Sequence, residues 1–364
     1  MADKIRLGVI GASVGGTWSA RSHLPALQAS TDFELTAVCT TKTESAEAAR
    51  KAYGARFAFD DYRKMAASPE IDAVAVVVRV PSHYAPAKAA IEAGNHVYCE
   101  WPLGRTAAEA GELAALASAK NVRTVVGLQS RANPALMYMK EQIEAGMIGD
   151  IMAVHVSLLR PGVLERPSSR TWQKDAELGA NTLTIPNGHT VDAMRYVVGD
   201  FKRITAVVST QAREWFETDT KRAVEVTSPD NVLTIGHLRN GAVASVHVGT
   251  VPYVGSRYHM EVYGRSGTLV ATSEDSPQLG EVHLHGAREG NTLGLMTIPQ
   301  HLVQTPKGTP SGEAFNVGRM YVRFAQAIQT GNDCAPNFET AVQLHQLIDA
   351  IKQASDSGRE VKLS

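Results

Sequence analysis

A short glycine-rich segment, GASVGG at residues 11–16, directly follows the apolar run Ile5–Ile10 and precedes a helical pattern. A turn of this kind brings the backbone close to a pyrophosphate and presents free N–H groups at a helix N-terminus. Ser13 stands where the strict G-x-G-x-x-G motif has its second glycine, and its hydroxyl is able to donate a hydrogen bond. A purely structural strand–helix turn is the alternative. The sequence predicts a dinucleotide site here, formed by Gly11, Ser13, Gly15 and Gly16.

The end of the second apolar run bears on which nicotinamide cofactor fits this site. An acidic residue at that position holds the ribose 2′-hydroxyl of NAD. This chain instead has Thr40-Thr41-Lys42, two hydroxyls followed by a cation, which suits a 2′-phosphate better. The alternative is that Lys42 is a solvated residue in the first turn of a helix. These residues predict NADP as the cofactor, with NAD as the second choice.

The elements that must position this turn follow from the hydrophobic pattern. Short runs rich in Val and Ile alternate with Ala-rich amphipathic segments, which predicts an α/β domain with a doubly wound parallel (Rossmann) sheet over residues 1–128. The predicted strands are Ile5–Ile10, Glu34–Cys39, Ala73–Val78, His96–Glu100 and Thr124–Gly127. The predicted helices are Trp18–Gln28, Glu44–Tyr53, His83–Ala93, Ala107–Ala119 and Pro134–Ala145.

The pattern changes near Gly149-Asp150, after which longer runs alternate apolar with polar residues. Asn240-Gly241 joins two such runs and is a strong hairpin signal. Residues 129–364 are predicted to form an α+β domain with a large, mostly antiparallel open sheet, and the late helices are expected to pack back on the first domain. The predicted elements are strands Ile204–Gln211, Val232–Leu238, Ala242–Val248, Tyr258–Tyr263 and Thr268–Thr272, helices Gly188–Val198, Val317–Gln329 and Thr340–Ser355, and a loop at Pro299–Glu313.

Composition and charge exclude several classes of protein. The 364 residues carry 36 Lys+Arg and 37 Asp+Glu, a formal charge of −1, which gives no electrostatic basis for binding nucleic acid or an anionic membrane. No apolar stretch approaches the roughly 18 residues that span a bilayer, and the N-terminal residues lack a signal-peptide layout. A soluble cytoplasmic protein is expected. His283 and His285 share a strand face without a nearby carboxylate or cysteine, so an exposed edge strand is expected rather than a metal site.

Further short motifs occur along nearly the whole chain. They are Val80-Pro81-Ser82-His83, VYCEWPL at 97–103, GLQSR at 127–131 with Pro134, Ile148-Gly149-Asp150, Trp172 with Asp175 and Gly179, NGHTVD at 187–192, and SGREV at 357–361. With the glycine turn, they resemble the glucose–fructose oxidoreductase/inositol dehydrogenase/MocA family. The resemblance implies an N-terminal dinucleotide-binding domain, a C-terminal domain whose open sheet mediates a homodimer or homotetramer, and hydride transfer between NAD(P) and a sugar, polyol or related carbonyl compound.

The resemblance also implies roles for individual residues. Glu100 is assigned to the nicotinamide-side ribose. Trp101 is assigned to stacking on the nicotinamide or the sugar, or simply to filling space. Further cofactor contacts are implied for Val80, Pro81, His83, Pro102 and Gln129. Substrate contacts are implied for Arg131, Trp172, Asn187 and His189.

Two departures from the family pattern bear on catalysis. The family usually has Glu-Lys-Pro, whose lysine transfers the substrate proton, whereas this chain has Trp101 in the lysine position. The Asp that many members carry four residues before the histidine is Ile185 here. His189 remains and is predicted to manage the hydroxyl proton, with Asp192 one helical turn on to orient its imidazole. A histidine that caps the helix start is the alternative.

The same departures resemble the branch of the family that includes the yeast galactose-regulon repressor, which senses rather than catalyses. Two functions therefore stay open. The favoured hypothesis is an NAD(P)-dependent oxidoreductase that acts on a small hydroxy or carbonyl compound. The alternative is a non-catalytic NAD(P)-binding sensor that acts on a protein partner. A proton-transfer group beside the nicotinamide would distinguish them, and His189 is the candidate.

Overall fold

The computed structural model describes residues 4–363, and the chain divides into two compact units. The first comprises Met1–Gln129 and Thr305–His345, and the second comprises Ser130–Gln304 and Gln346–Ser364. Residues 305–345, which lie beyond the predicted boundary at 128/129, belong to the first unit by this division. Among residues 4–363, no helix combines the length and the apolar character needed to cross a membrane.

Helices and strands of the described residues are numbered in chain order. The α-helices are α1 (Leu24–Ala29), α2 (Thr43–Tyr53), α3 (Tyr62–Ala66), α4 (Tyr84–Glu92), α5 (Ala107–Ala119), α6 (Pro134–Glu144), α7 (Pro186–Val198), α8 (Gln300–Val303), α9 (Glu313–Thr330) and α10 (Phe338–Ser357). The strands are β1 (Ile5–Ile10), β2 (Phe33–Cys39), β3 (Phe57–Phe59), β4 (Ala73–Val76), β5 (His96–Glu100), β6 (Thr124–Gly127), β7 (Ile151–Pro161), β8 (Glu165–Arg166), β9 (Phe201–Ser209), β10 (Glu214–Glu217), β11 (Ala223–Glu225), β12 (Asn231–Leu238), β13 (Val243–Val251), β14 (Arg257–Gly264), β15 (Gly267–Ser273), β16 (His283–Arg288), β17 (Gly294–Leu295) and β18 (Val361–Lys362).

A six-stranded parallel sheet forms the centre of the first unit, with the strand order β3-β2-β1-β4-β5-β6. Every residue of β4 and β6 is buried, which is why their sequences, AVAV and TVVG, do not alternate apolar with polar residues. The predicted doubly wound sheet is confirmed. The strand order reverses between β1 and β4, and in such sheets ligands bind outside the carboxyl ends of the strands at the reversal point.

Short signals at the ends of elements explain several boundaries in this unit. The helix predicted over Trp18–Gln28 begins instead as a π-helical turn, Ser19–His23, which leads into α1. Thr106 caps α5 because its hydroxyl oxygen accepts the N–H of Glu109 at 3.2 Å. The prediction lacks β3 and α3, since elements of three to five residues show no measurable periodicity. α9 packs against α1 and β6 within the same unit.

The second unit is built on a nine-stranded sheet with the order β17-β16-β15-β14-β7-β13-β12-β9-β18. β7 and β13 run parallel, and the other neighbouring pairs are antiparallel, so the predicted mostly antiparallel sheet is confirmed. Asn240-Gly241 forms the turn of the predicted hairpin between β12 and β13, with Gly241 at φ +93°. α7 packs on one face of the sheet, against β7 and β13.

Three features of the chain beyond residue 129 differ from the prediction. A small sheet with the order β11-β10-β8 has strands of two to four residues, too short for a pattern to reveal them. The segment Pro299–Glu313, predicted to be a loop, contains α8 and the first residue of α9. The strand with His283 and His285 is not an edge strand along its whole length, because β16 pairs with β15 on one side and with β17 on the other.

Candidate functional site

The glycine-rich turn lies at the carboxyl end of β1, where the strand order of the parallel sheet reverses. Gly11 has a φ of +92°, and a Cβ atom on it would lie 2.1 Å from the carbonyl oxygen of Val77, so only glycine fits. Its N–H donates to the carbonyl oxygen of Cys39 at 2.8 Å, which fixes the turn against β2. Gly15 and Gly16 are exposed, with open space where side chains would be. This cradle fits the pyrophosphate of a dinucleotide.

Two side chains hold the turn in place. The Ser19 hydroxyl donates to the carbonyl oxygen of Gly11 at 2.7 Å, and the Tyr53 hydroxyl donates to the carbonyl oxygen of Ser13 at 3.0 Å. Both contacts engage carbonyl oxygens, so they do not consume the N–H donors of the turn. The hydrogen bond expected from the Ser13 hydroxyl to a cofactor stays a prediction.

Hydroxyls and a cation follow β2, as the sequence indicates. The Thr40 hydroxyl donates to the carbonyl oxygen of Lys42 at 3.0 Å, and its oxygen lies 2.6 Å from the hydroxyl oxygen of Ser45. Thr41 and Lys42 are exposed. No carboxylate of the described chain lies within ion-pair distance of the Lys42 ammonium. An exposed ammonium at this position is available to a 2′-phosphate.

The carboxylate of Glu100, at the end of β5, belongs to a buried hydrogen-bond network. Gln129 donates from its amide nitrogen to both carboxylate oxygens, at 2.9 and 3.0 Å, and His23 Nε2 lies 2.9 Å from one of them. An ionised carboxylate only accepts, so His23 donates to Glu100 from Nε2, and His23 Nδ1 lies 2.8 Å from the hydroxyl oxygen of Tyr321. Burial raises the pKa of Tyr321 well above the usual range. This network explains the orientation of Glu100, and its predicted contact with a ribose stays a prediction.

The buried imidazole of His83 joins two loops at the carboxyl edge of the sheet. Its Nδ1 lies 2.6 Å from the carbonyl oxygen of Pro102 and its Nε2 lies 3.0 Å from that of Val78. Burial lowers the pKa of His83, so the ring is neutral and donates one hydrogen bond at a time. Val80 is buried and Pro81 half-buried in the same segment. His83 therefore positions the loops after β4 and β5, and cofactor contacts of this segment stay a prediction.

Trp101 follows β5 directly and is only 4% exposed. Its indole packs against the His345 imidazole, with ring centroids 4.6 Å apart and ring planes at 46°. Burial lowers the pKa of His345 to about 4, so this ring is neutral at pH 7. An uncharged pair of rings therefore occupies this place.

In the second unit, His189 lies inside α7. The helix begins at Pro186, with Ile185 at the N-cap position, and the His189 N–H donates to the carbonyl oxygen of Ile185 at 3.0 Å. The alternative reading, in which His189 caps the helix start, is therefore wrong. The residue is 6% exposed. Its proton-transfer role stays a prediction.

Comparison with known proteins assigns both units to one family. The family model described as "Oxidoreductase family, NAD-binding Rossmann fold" matches residues 5–128, and that described as "Oxidoreductase family, C-terminal alpha/beta domain" matches residues 140–363. The chain belongs to the Gfo/Idh/MocA family. Its nucleotide turn is thus part of an NAD(P)-binding oxidoreductase domain.

Similar members of the Gfo/Idh/MocA family include dehydrogenases and a regulator. The dehydrogenase aclE of Aspergillus oryzae is 28% identical over 99% of this chain and 98% of its own length. The galactose/lactose metabolism regulatory protein GAL80 of Kluyveromyces lactis is 31% identical over 73% of this chain and 63% of its own length. The structure of a levoglucosan dehydrogenase in complex with NADH and levoglucosan is 25% identical, with a TM-score of 0.84 and full coverage of both chains.

Asp192 has a different partner in this Gfo/Idh/MocA protein from the predicted one. Arg131 donates from Nε to one carboxylate oxygen of Asp192 at 2.9 Å and from Nη2 to the other at 2.7 Å. Asp192 is fully buried. Burial alone lowers the pKa of Arg131, but the charge and hydrogen bonds of Asp192 outweigh it and the pKa lies above the usual value. The carboxylate predicted to orient His189 is therefore the counter-ion of Arg131, and the predicted substrate contact of Arg131 competes with this pair.

Two further predicted substrate residues differ in accessibility. Asn187 is fully buried, and its amide nitrogen donates to the carbonyl oxygen of Leu183 at 3.2 Å, which disfavours the predicted substrate contact. Trp172 is half-buried within the 3₁₀-helical segment Ser168–Lys174 and stays a candidate.

Three residues of the Gfo/Idh/MocA chain that shape the site were absent from the sequence prediction. His23 contacts Glu100, which lies 77 residues further along the chain. Tyr321 contacts His23, from which it is 298 residues away in the chain. His345 lies under Trp101 from the late helix α10. Each lies in a helical segment, and the local sequence pattern does not identify which distant residue it contacts.

Proposed function

We propose that this protein is an NADP(H)-linked dehydrogenase of a sugar, polyol or related small hydroxy or carbonyl compound. One observation carries the proposal: the turn at residues 11–16, tight at Gly11 and with open space at Gly15 and Gly16, lies at the reversal point of a parallel sheet. Relatives named levoglucosan dehydrogenase and inositol 2-dehydrogenase support the substrate class. The turn at residues 11–16 would hold the pyrophosphate, and a bound nicotinamide supplies the site that accepts or gives hydride.

His189 is the residue we assign to the proton of the reacting oxygen. An imidazole titrates near neutral pH, which suits a general acid/base, and the tryptophan at position 101 has an N–H that does not ionise in this range. In the alcohol-to-carbonyl direction His189 would take the hydroxyl proton, and in the reverse direction it would return it. The ion pair of Arg131 and Asp192 would fix the position of α7, the helix that carries His189.

The cofactor preference is expected to depend on Lys42. Because a hydrogen bond to a charged group contributes about 1.5–3 kcal/mol, Lys42→Ala should weaken NADPH binding by about tenfold or more and leave NADH binding unchanged. Titration of both nucleotides by quenching of tryptophan fluorescence measures this. Lys51→Ala removes another exposed lysine of the α2 region and is the matched control. Equal affinities of the parent for both nucleotides would contradict the NADP assignment.

A regulatory function without catalysis is the second candidate, because a buried indole occupies the position of the family lysine. The variant Trp101→Lys separates the two. Its ammonium would be buried beside the neutral His345, where burial disfavours the charged form. We therefore expect slow but measurable reduction of NADP⁺ by the parent with some sugar or polyol, and no gain from Trp101→Lys.

Single-turnover reduction of NADP⁺ over a broad panel of sugars and polyols is the measurement. Trp101→Phe, which keeps an aromatic ring against His345, is the control for disturbed packing. If the parent protein reduced no NADP⁺ and Trp101→Lys clearly did, the dehydrogenase function would be excluded and the regulatory function would remain.

The exposed face of the nine-stranded sheet supports the further proposal of a homodimer or homotetramer. Neighbouring strands place large apolar side chains side by side on this face: Val207, Leu233, Ile235, Val243 and Tyr263, each at least 39% exposed. An apolar area of this kind marks an interaction surface. Sedimentation of the purified protein measures the assembly, and a monomer at micromolar concentration would contradict it.

A further inference from the structure

A cavity of about 400 Å³ lies entirely within the second unit. Its walls come from the segments after β7, from β8 and β10, and from the approach to α7, including Ile185 and Pro186. His189 lies one helical turn beyond this wall. The volume falls in the range of small-molecule sites, about 300–1,000 Å³.

Arginines outnumber the acidic residues in the lining of this cavity. Four arginines line it: Arg160, Arg166, Arg170 and Arg257. Of the acidic residues in the lining, Asp275 pairs with Arg160 at 3.2 Å. Asp230 accepts the backbone N–H groups of Gln211 and Ala212 at 2.7–3.0 Å. The third, Glu165, is exposed.

Arg166 is held in a fixed orientation without an anionic partner. Its guanidinium carbon lies 3.8 Å from the ring centroid of Trp215, and one terminal nitrogen donates to the side-chain oxygen of Gln173 at 2.9 Å. Within residues 4–363 no carboxylate pairs with it. Burial and the charge of Arg170 lower the pKa of Arg166 to about 10, which is the signature of a cation that lacks a counter-ion.

Two buried donors of this wall have no acceptor in the described residues. They are Arg166 Nε and the indole nitrogen of Trp215, a residue only 3% exposed. Buried hydrogen-bond donors in native proteins nearly always have an acceptor. Two donors without one on a cavity wall therefore indicate that a bound ligand supplies the acceptor. A planar guanidinium with a free Nε matches an oxyanion, which offers two or more acceptor oxygens.

Arg257 adds strain to the same wall. It adopts a φ of +65° at the start of β14, a conformation that residues other than glycine rarely take. No carboxylate of the described chain pairs with it. Backbone conformations of this kind cluster at ligand sites.

We infer that this cavity binds an oxyanion, a carboxylate or a phosphate, carried by a ligand of monosaccharide size. As a statement about substrate, this rests on the proposed dehydrogenase function: the compound oxidised or reduced would be an acidic sugar derivative rather than a neutral sugar. Binding itself does not depend on turnover. It is therefore measurable whether or not the protein is a dehydrogenase.

Isothermal titration of the full-length protein with D-glucuronate, D-glucose 6-phosphate and D-glucose tests the inference. At least one of the two anions should bind about tenfold or more tightly than D-glucose, and added salt should weaken that binding. The anion that binds more tightly identifies carboxylate or phosphate as the bound group. Arg166→Gln should lose about tenfold or more of the anion affinity while leaving D-glucose unaffected.

Arg288→Gln is the matched control, since Arg288 is an exposed arginine of the same unit outside the cavity lining. Arg257→Gln provides a second test of the anion site if Arg166→Gln fails to fold. Equal affinities for anions and D-glucose, or folded Arg166→Gln and Arg257→Gln proteins that bind the anion like the parent, would overturn the inference. Anion binding that follows the pattern without any hydride transfer would uphold this site and contradict the dehydrogenase. Turnover of neutral sugars, without turnover of acidic ones, would uphold the dehydrogenase and contradict an acidic sugar as its substrate.

Discussion

Replacing His189 by alanine is expected to lower turnover by about 10²–10⁴-fold, the usual loss when one general acid/base is removed. With Trp101 in the lysine position, His189 is the titratable candidate that we assign to the reacting oxygen. Cofactor affinity should stay near that of the parent, because the cradle at Gly11 is built in the other unit. Single-turnover kinetics and nucleotide titration measure the two quantities separately.

The pH profile distinguishes proton transfer from a structural role of His189. In the parent, kcat should show a titrating limb, and this limb should vanish in His189→Ala. His283→Ala removes an exposed imidazole at the start of β16. This variant should keep both the turnover rate and the titrating limb of kcat. A His189→Ala protein that turns over within a few-fold of the parent would show that the imidazole only fills space in α7.

The sequence was most informative where local pattern decides structure. The strands β1 and β5 have their predicted ends, because short, mostly apolar runs bounded by turns admit few alternatives. Gly11 was identified for the same reason, since a tight turn after a buried strand leaves little choice of residue. The family motifs then extended this local information to both units.

Long-range pairing could not be predicted in the same way. Asp192 and His189 lie one helical turn apart, so helix periodicity suggested that they interact, whereas the carboxylate instead binds Arg131, 61 residues away in the chain. A buried carboxylate takes the strongest available counter-ion, and an arginine with two parallel N–H groups is a better one than an imidazole. Periodicity cannot rank a neighbour in sequence against a residue brought near by the fold.

The ion pair of Arg131 and Asp192 leads to the second large expected effect, which is on stability. Asp192→Asn keeps the shape of the side chain but removes the charge that pairs with a largely buried guanidinium. Breaking a buried pair on one side costs about 3–5 kcal/mol, a large part of the roughly 5–15 kcal/mol that stabilises a typical domain. We expect a drop of about 3 kcal/mol or more in the free energy of unfolding, measured by urea denaturation.

The double variant Arg131→Met/Asp192→Leu shows whether that loss comes from the unpaired charge. Replacing both members of a buried pair by apolar residues of similar volume is often neutral or stabilising, so the double variant should recover most of the stability lost in Asp192→Asn. The same proteins test the role first predicted for the carboxylate. If Asp192 served the imidazole of His189, Asp192→Asn would lose turnover at nearly unchanged stability. The bidentate contact with Arg131 leads us to expect the opposite, because both oxygens of the carboxylate bind Arg131.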